Sequence, residues 1–152
     1  MQENVRNWVA SIVEELNPQA PVLEVGAYNI NGSVRDLFPL PYVGFDMQAG
    51  AGVDEVGDIL THDFAEEFNT VVCCETLEHV TKPWVAVERM ARVLKPGGYM
   101  IITAPFQHSI HDHPGDYWRF TDQGMRVLFE EAGLTTVKTE LDDRTAFGVA
   151  QR

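Results

Sequence analysis

Two groups of side chains in this chain are spaced for chemistry. The first is Val22-Leu23-Glu24-Val25-Gly26, an apolar run ending in an acid and a glycine, followed about 20 residues on by Tyr42-Val43-Gly44-Phe45-Asp46. A strand that stops at a glycine turn, with an acid closing the next strand, is how α/β sheets hold a nucleoside. The glycine lets backbone approach the ligand, and the distant carboxylate accepts hydrogen bonds from ribose hydroxyls. The second group is a set of histidines and acids: His79, then His108, His111 and His113 in one stretch with Asp112, Asp116 and Arg119. Imidazoles near carboxylates suit proton transfer at neutral pH. His79, His111 and Asp116 are the candidate catalytic residues, with Arg119 either pairing Asp116 or binding an acidic acceptor. The same residue types can take a divalent cation, but a loop lacks the fixed geometry of a dedicated helical motif, so no metal site is expected.

These groups need elements to position them. Val5, Trp8, Val9, Ile12, Val13 and Leu16 recur at helical spacing until Asn17-Pro18, predicting an amphipathic helix that packs on a sheet edge or lids a pocket. A strand over 22–25 follows, then a short helix over 34–38 capped by Ser33 and ended by Pro39 and Pro41, then a strand over 42–45. The stretch from Met47 to Gly57 is too glycine-rich for a helix and holds only a loop and a very short strand near 53–56. Thr70-Val71-Val72-Cys73-Cys74 and Tyr99-Met100-Ile101-Ile102-Thr103-Ala104 read as strands buried on both faces, which parallel sheets require. Between them Pro83 opens a helix whose apolar stripe is Val80, Trp84, Val87, Met90, Ala91 and Leu94, stopped at Lys95-Pro96-Gly97-Gly98. The segment 107–119 has no periodicity and is a functional loop. Thr121 caps a last helix carrying Met125, Leu128, Phe129 and Ala132, and strands over Thr135–Leu141 and 146–150 close the chain as an antiparallel hairpin. The expected architecture is α/β: a compact Rossmann-like open sheet, mostly parallel with an antiparallel last strand, with a reduced helix after the second strand, in a single domain over 1–152.

Bulk composition narrows the function. The chain has 152 residues and a net charge of −12, which argues against a nucleic-acid duplex or an anionic membrane as partner, since phosphate binding relies on clustered Lys and Arg. The adjacent Cys73 and Cys74 form no ordinary disulfide framework and read as small apolar strand residues. With no spanning apolar run and no signal peptide, a cytoplasmic location is expected.

In their order along the chain, Val22-Leu23-Glu24-Val25-Gly26, Asp46, Glu78-His79-Val80 and Leu94-Lys95-Pro96-Gly97-Gly98 resemble the class I S-adenosylmethionine-dependent methyltransferases, in the small group often called type 11. Pro114-Gly115-Asp116-Tyr117-Trp118-Arg119-Phe120-Thr121 is similar to a run found after the fifth strand in some members. The resemblance implies a seven-stranded sheet and S-adenosylmethionine as cofactor. It places Glu24, Gly26 and Ala27 beside the methionine part, with Tyr28 facing the sulfonium or shielding the loop. It puts Asp46 on the ribose, Met47 on the adenine, Asp58 and Ile59 at the adenine amino group and ring, and Cys74 and Glu75 at the sulfonium end. The implied reaction is methyl transfer to an O or N of a small-molecule or glycan acceptor, by a monomer or homodimer. Where the family has further glycines, this chain has Ala27-Tyr28-Asn29-Ile30-Asn31-Gly32, which predicts a rebuilt loop with Asn29 and Asn31 tolerating left-handed backbone. Two rival readings remain: a non-catalytic cofactor-binding or interaction module, and a nicotinamide oxidoreductase, for which the G-x-G-x-x-G spacing is missing.

Overall fold

The computed structural model describes residues 2–111 and 115–152. Helix α1 (Glu3–Leu16) leads into strand β1 (Val22–Val25), a 3-10 turn (Arg35–Leu37), β2 (Tyr42–Asp46), β3 (Glu55–Val56) and β4 (Phe68–Cys74). A second 3-10 turn (Leu77–His79) precedes α2 (Pro83–Val93), β5 (Leu94–Pro105), α3 (Asp122–Glu131), β6 (Thr135–Leu141) and β7 (Thr145–Gln151). The strands form one sheet in the order β3-β2-β1-β4-β5-β7-β6. β7 runs antiparallel to both its neighbours, and the pairs among β1 to β5 are parallel. The expected fold class holds, including the antiparallel last strand and the loop in place of a helix after β2.

The sheet's two faces carry separate apolar clusters because neighbouring residues of a strand point opposite ways. Leu23, Val71, Cys73, Met100 and Ile102 meet Ala86, Val87 and Met90 of α2 and Met125 and Phe129 of α3. Val22, Val72, Ile101, Phe147 and Val149 meet Val5, Val9 and Ile12 of α1 on the other side. The first helix therefore covers the middle of a sheet face instead of an edge. Its position follows from the short connections: β1 to β2 supplies one 3-10 turn and β2 to β3 none, so α1 is left to bury that face.

Three local expectations need correction. The helix over 34–38 is a single 3-10 turn, with Ser33 Oγ accepting from Arg35 N at 3.0 Å, because Pro39 leaves no length for a second turn. Trp84 is not on the buried stripe of α2; Ala86 is, and the half-exposed Trp84 meets Trp118 edge to face at 5.8 Å. Pro83 at the first helical position sets the inward face at Pro83, Ala86, Val87, Met90 and Ala91, one step out of register with Trp84. Leu94 opens β5 instead of ending the helix, and the glycines after it make an irregular strand start, with Gly97 at φ +80. Thr121 caps α3 as expected, accepting from Gly124 N at 2.9 Å.

Candidate cofactor and acceptor site

The strand order reverses between β1 and β4, which pair in parallel, and ligands in such sheets bind beyond the carboxyl ends at that switch point. Gly26 leaves β1 there at φ +85, and a Cβ on it would fall 1.9 Å from Thr76 Oγ1. Thr76, after β4, thus closes over the turn, and its hydroxyl is fixed by donating to the Cys74 carbonyl at 3.0 Å. Asp46 ends β2 beside this turn. Its Oδ2 accepts from Tyr28 N at 3.1 Å and its Oδ1 from Gln48 N at 3.0 Å. Each carboxylate oxygen keeps a free lone pair, so Asp46 both splints the glycine loop and retains capacity for two ribose hydroxyls.

The rebuilt loop is held from outside. Asn29 N donates to the Ala51 carbonyl at 2.8 Å, and Asn29 Oδ1 accepts from Gly32 N at 2.9 Å. In this loop only Gly26 and Gly32 take positive φ; Asn29 and Asn31 do not, which corrects the expectation that they replace lost glycines by adopting left-handed backbone. The chain after Asp46 folds back on β2 so closely that a Cβ on Gly44 would sit 1.9 Å from the Gly52 carbonyl oxygen. Tyr28 lays its ring over Gly50, whose Cβ would be 2.2 Å from it, while remaining 38% exposed. Its contact is with the loop. Met47 is 56% exposed at the same rim. Asp58 is exposed, with Oδ1 accepting from Leu60 N at 2.9 Å, whereas Ile59 is buried in the main core with Phe45.

Glu24 is 4% exposed on the α1 side of β1, and burial pushes its carboxyl up to about 7, partly offset by the Tyr42 hydroxyl and Arg35. No basic side chain among the described residues reaches it within ion-pair distance. A buried carboxylate without a cation is costly, and a sulfonium or ammonium group is the kind of ligand that repays it. S-Adenosylmethionine, which carries both, fits Glu24, Gly26 and Asp46. The same burial predicts a measurable linkage. Between the usual carboxylate range and about pH 7 the folded chain keeps a proton that the unfolded chain has lost, so stability falls as pH rises through that window. Glu24→Gln should raise the stability of the ligand-free protein at pH 8 by about 2–3 kcal/mol, flatten its pH dependence and weaken cofactor binding. Denaturant melts at pH 5 and pH 8 check this; equal wild-type stability at both would refute it.

On the other side of the switch point stands the acceptor end. Cys74, buried and facing α1, hands over to Glu75, whose φ of +49 is rare for a side chain of its size. Such strain clusters at functional sites. Glu75 accepts from Thr103 Oγ1 at 3.1 Å, and burial raises its carboxyl above the usual range. Glu78 is fully buried, and neither carboxylate oxygen has a hydrogen-bond partner among the described residues. Burial, with Glu75 and Asp116 nearby, pushes it up to about 8. His79 Nε2 lies 3.5 Å and His111 Nε2 3.7 Å from Glu78 Oε1, and the two rings meet edge to face at 4.9 Å.

The protonation pattern of these rings follows from their partners. His79 Nδ1 faces the Gly115 carbonyl at 2.5 Å, and a carbonyl only accepts, so Nδ1 carries the proton. His111 Nδ1 faces Asp116 Oδ2 at 3.3 Å and the Ser109 carbonyl at 3.3 Å, so it too is the protonated nitrogen. Asp116 accepts from His111 N at 2.9 Å and is gripped by Arg119 through 2.5 and 2.7 Å contacts, which hold its carboxyl well below the usual range. Arg119 is therefore committed to Asp116. The structure brings His79, His111 and Asp116 together; Asp112 and His113 lie outside the described residues. Glu78, Thr76, Thr103 and Tyr42 were not singled out individually, and their sequence signal is only proximity to the strand ends. An open depression of about 540 Å³ nearby is lined by Gln2, Glu3, Asn4, Asp142, Asp143 and Arg144. Arg144 O accepts from Phe106 N and Gln107 N, which joins this depression to the start of the long loop.

A glycine turn and a ribose-type acid at the switch point of a seven-stranded sheet whose last strand is antiparallel define a class I methyltransferase. The chain belongs to the methyltransferase domain family, whose model matches residues 1–139. The ubiquinone biosynthesis O-methyltransferase of Paracidovorax citrulli (strain AAC00-1) is 36% identical over 61 residues, covering 38% of this chain and 26% of that protein. The match thus spans about a quarter of that relative's length. Burkholderia thailandensis 1,6-didemethyltoxoflavin-N1-methyltransferase, solved with 1,6-didemethyltoxoflavin and S-adenosylhomocysteine, aligns with a TM-score of 0.79 at 17% identity, over 99% of this chain and 79% of that one. The N-terminal domain of EvdMO1, solved in the presence of S-adenosylhomocysteine and D-fucose, aligns at 0.67 and 16% identity, over 99% and 84%. At these identities the likeness is one of fold. Among the described residues no helix is long and apolar enough to cross a membrane.

Proposed function

We propose that this methyltransferase acts on an O or N of a small-molecule or glycan acceptor, bound between the start of α1, the 3-10 turn after Glu75 and the loop over 107–119. The observation that carries the reading is the pair of imidazole Nε2 atoms that His79 and His111 present beside Glu78, across the switch point from Gly26 and Asp46. The bound cofactor supplies an electrophilic methyl group for in-line displacement, so the chain's task is chiefly alignment, worth roughly 7–11 kcal/mol in well-oriented systems. Glu24, Gly26 and Asp46 hold the donor. Asp116, clamped by Arg119, sets the His111 ring with its Nε2 lone pair toward the acceptor, where it takes the acceptor's proton; His79 lines the same space. Small acceptors are consistent with the relatives, of which one is named for ubiquinone biosynthesis, one was solved with bound 1,6-didemethyltoxoflavin and one in the presence of D-fucose.

Turnover with a labelled methyl donor on pools of hydroxylated, amino and sugar acceptors tests the reading. His111→Ala should cut turnover on the acceptor so found by about 10²- to 10⁴-fold, with Asp116→Asn acting in the same direction. S-Adenosylhomocysteine affinity by calorimetry should be preserved in both. The reverse pattern, lost affinity with turnover intact at saturation, would move these residues to the cofactor pocket.

A further inference from the structure

We propose that Glu78, His79 and His111 form a binding site for one divalent first-row transition cation (Mn²⁺, Fe²⁺, Co²⁺ or Zn²⁺), left open toward the acceptor. One carboxylate oxygen and two imidazole nitrogens from these residues all lie within 4.8 Å of one another. A cation about 2.1 Å from each donor places neighbouring donors roughly 3.0–3.4 Å apart. The observed 3.5 and 3.7 Å from Glu78 Oε1 to the two Nε2 atoms need close by only tenths of an ångström. Two imidazoles with one carboxylate suit these metals better than Ca²⁺ or Mg²⁺, which prefer oxygen ligands.

Two independent observations point to a ligand. Glu78 is fully buried, and among the described residues neither of its oxygens has a hydrogen-bond partner, an arrangement that is costly unless something fills it. Both rings are also set for ligation by their far sides: His79 donates through Nδ1 to the Gly115 carbonyl, and His111 points Nδ1 at Asp116 and the Ser109 carbonyl. Metal-binding imidazoles characteristically donate their other N–H to a carbonyl or carboxylate in this way. Arg119 locks Asp116 in turn.

A cation here gives the site a second way to prepare an acceptor. A hydroxyl group on an open position becomes more acidic, and the histidines then hold the metal while the hydroxyl's proton leaves to solvent. That consequence rests on the function proposed above; occupancy of the site does not.

The test is titration of chelator-treated full-length protein with Co²⁺, followed by its visible absorption, and with Zn²⁺ and Mn²⁺ by calorimetry. One cation per chain is expected, with affinity lowered in both Glu78→Gln and His111→Ala by more than the roughly 10- to 100-fold that losing a group behind a ligand costs. The metal should also raise the melting temperature of the wild type but not of either variant. His111 is half-exposed on a loop, so its variant keeps the test valid if Glu78→Gln fails to fold. Absence of one-to-one binding in the wild type, or unchanged affinity in His111→Ala, overturns the proposal. Calorimetry with S-adenosylhomocysteine on the same samples is read separately: cofactor binding without metal binding sinks the metal site alone, and metal binding without cofactor binding sinks the function alone.

Discussion

Gly44→Ala should destabilise the protein by about 1–3 kcal/mol, lowering its melting temperature by roughly 3–10 °C. The new methyl group would be 1.9 Å from the Gly52 carbonyl oxygen and 3.0 Å from the Ala27 methyl. Neither neighbour is a flexible side-chain tip that can swing aside. The loop that must retreat is pinned at several points: Asp54 N donates to the Gly44 carbonyl at 2.7 Å, Gly44 N to Asp54 Oδ2 at 2.8 Å, and Arg35 holds the same Asp54 oxygen at 2.8 Å. Moving it breaks these contacts and pulls on Asn29, whose N–H reaches Ala51. Cofactor affinity should therefore fall together with stability. A variant that melts like the wild type would show that the loop does not lie against β2.

Asp46→Ala should weaken S-adenosylhomocysteine binding by about 1.5–3 kcal/mol, roughly ten- to more than a hundredfold. Part of this is the loss of charge-assisted bonds to ribose. The rest comes from the turn, since the carboxylate also accepts from Tyr28 N and Gln48 N, and without it both N–H groups must find water. Asp46→Asn separates the two contributions: one amide oxygen can keep one backbone bond, so its loss should lie between wild type and alanine. Calorimetry on the three proteins provides the comparison, and equal affinity throughout would remove Asp46 from the ribose.

Much of the fold could be read because its determinants are local. Strands buried on both faces spell themselves as apolar runs, as in Thr70-Val71-Val72-Cys73-Cys74; Pro83 and Thr121 mark helix starts by their own chemistry. The misreadings share a cause. The register of Trp84 on α2 depended on one residue of rotation, and the place of α1 depended on which sheet face other segments left bare. The altered loop over 27–32 misled in another way: its conformation is set by Ala51 and Asp46 from a different segment, so the residues within it carried no sign that Asn29 and Asn31 need no left-handed backbone.

By itself the sequence determined the alternation of strands and helices, the glycine turn and the acid at the ends of β1 and β2, and an acidic chain unsuited to phosphate backbones. These depend on residue type and short spacing. Only the tertiary structure decided that Thr76 closes over Gly26, that Glu24 is buried with no cation in ion-pair distance among the described residues, and that Glu78 is buried beside His79 and His111. Burial and the meeting of side chains distant in the chain arise when the sheet assembles, and no local pattern encodes them.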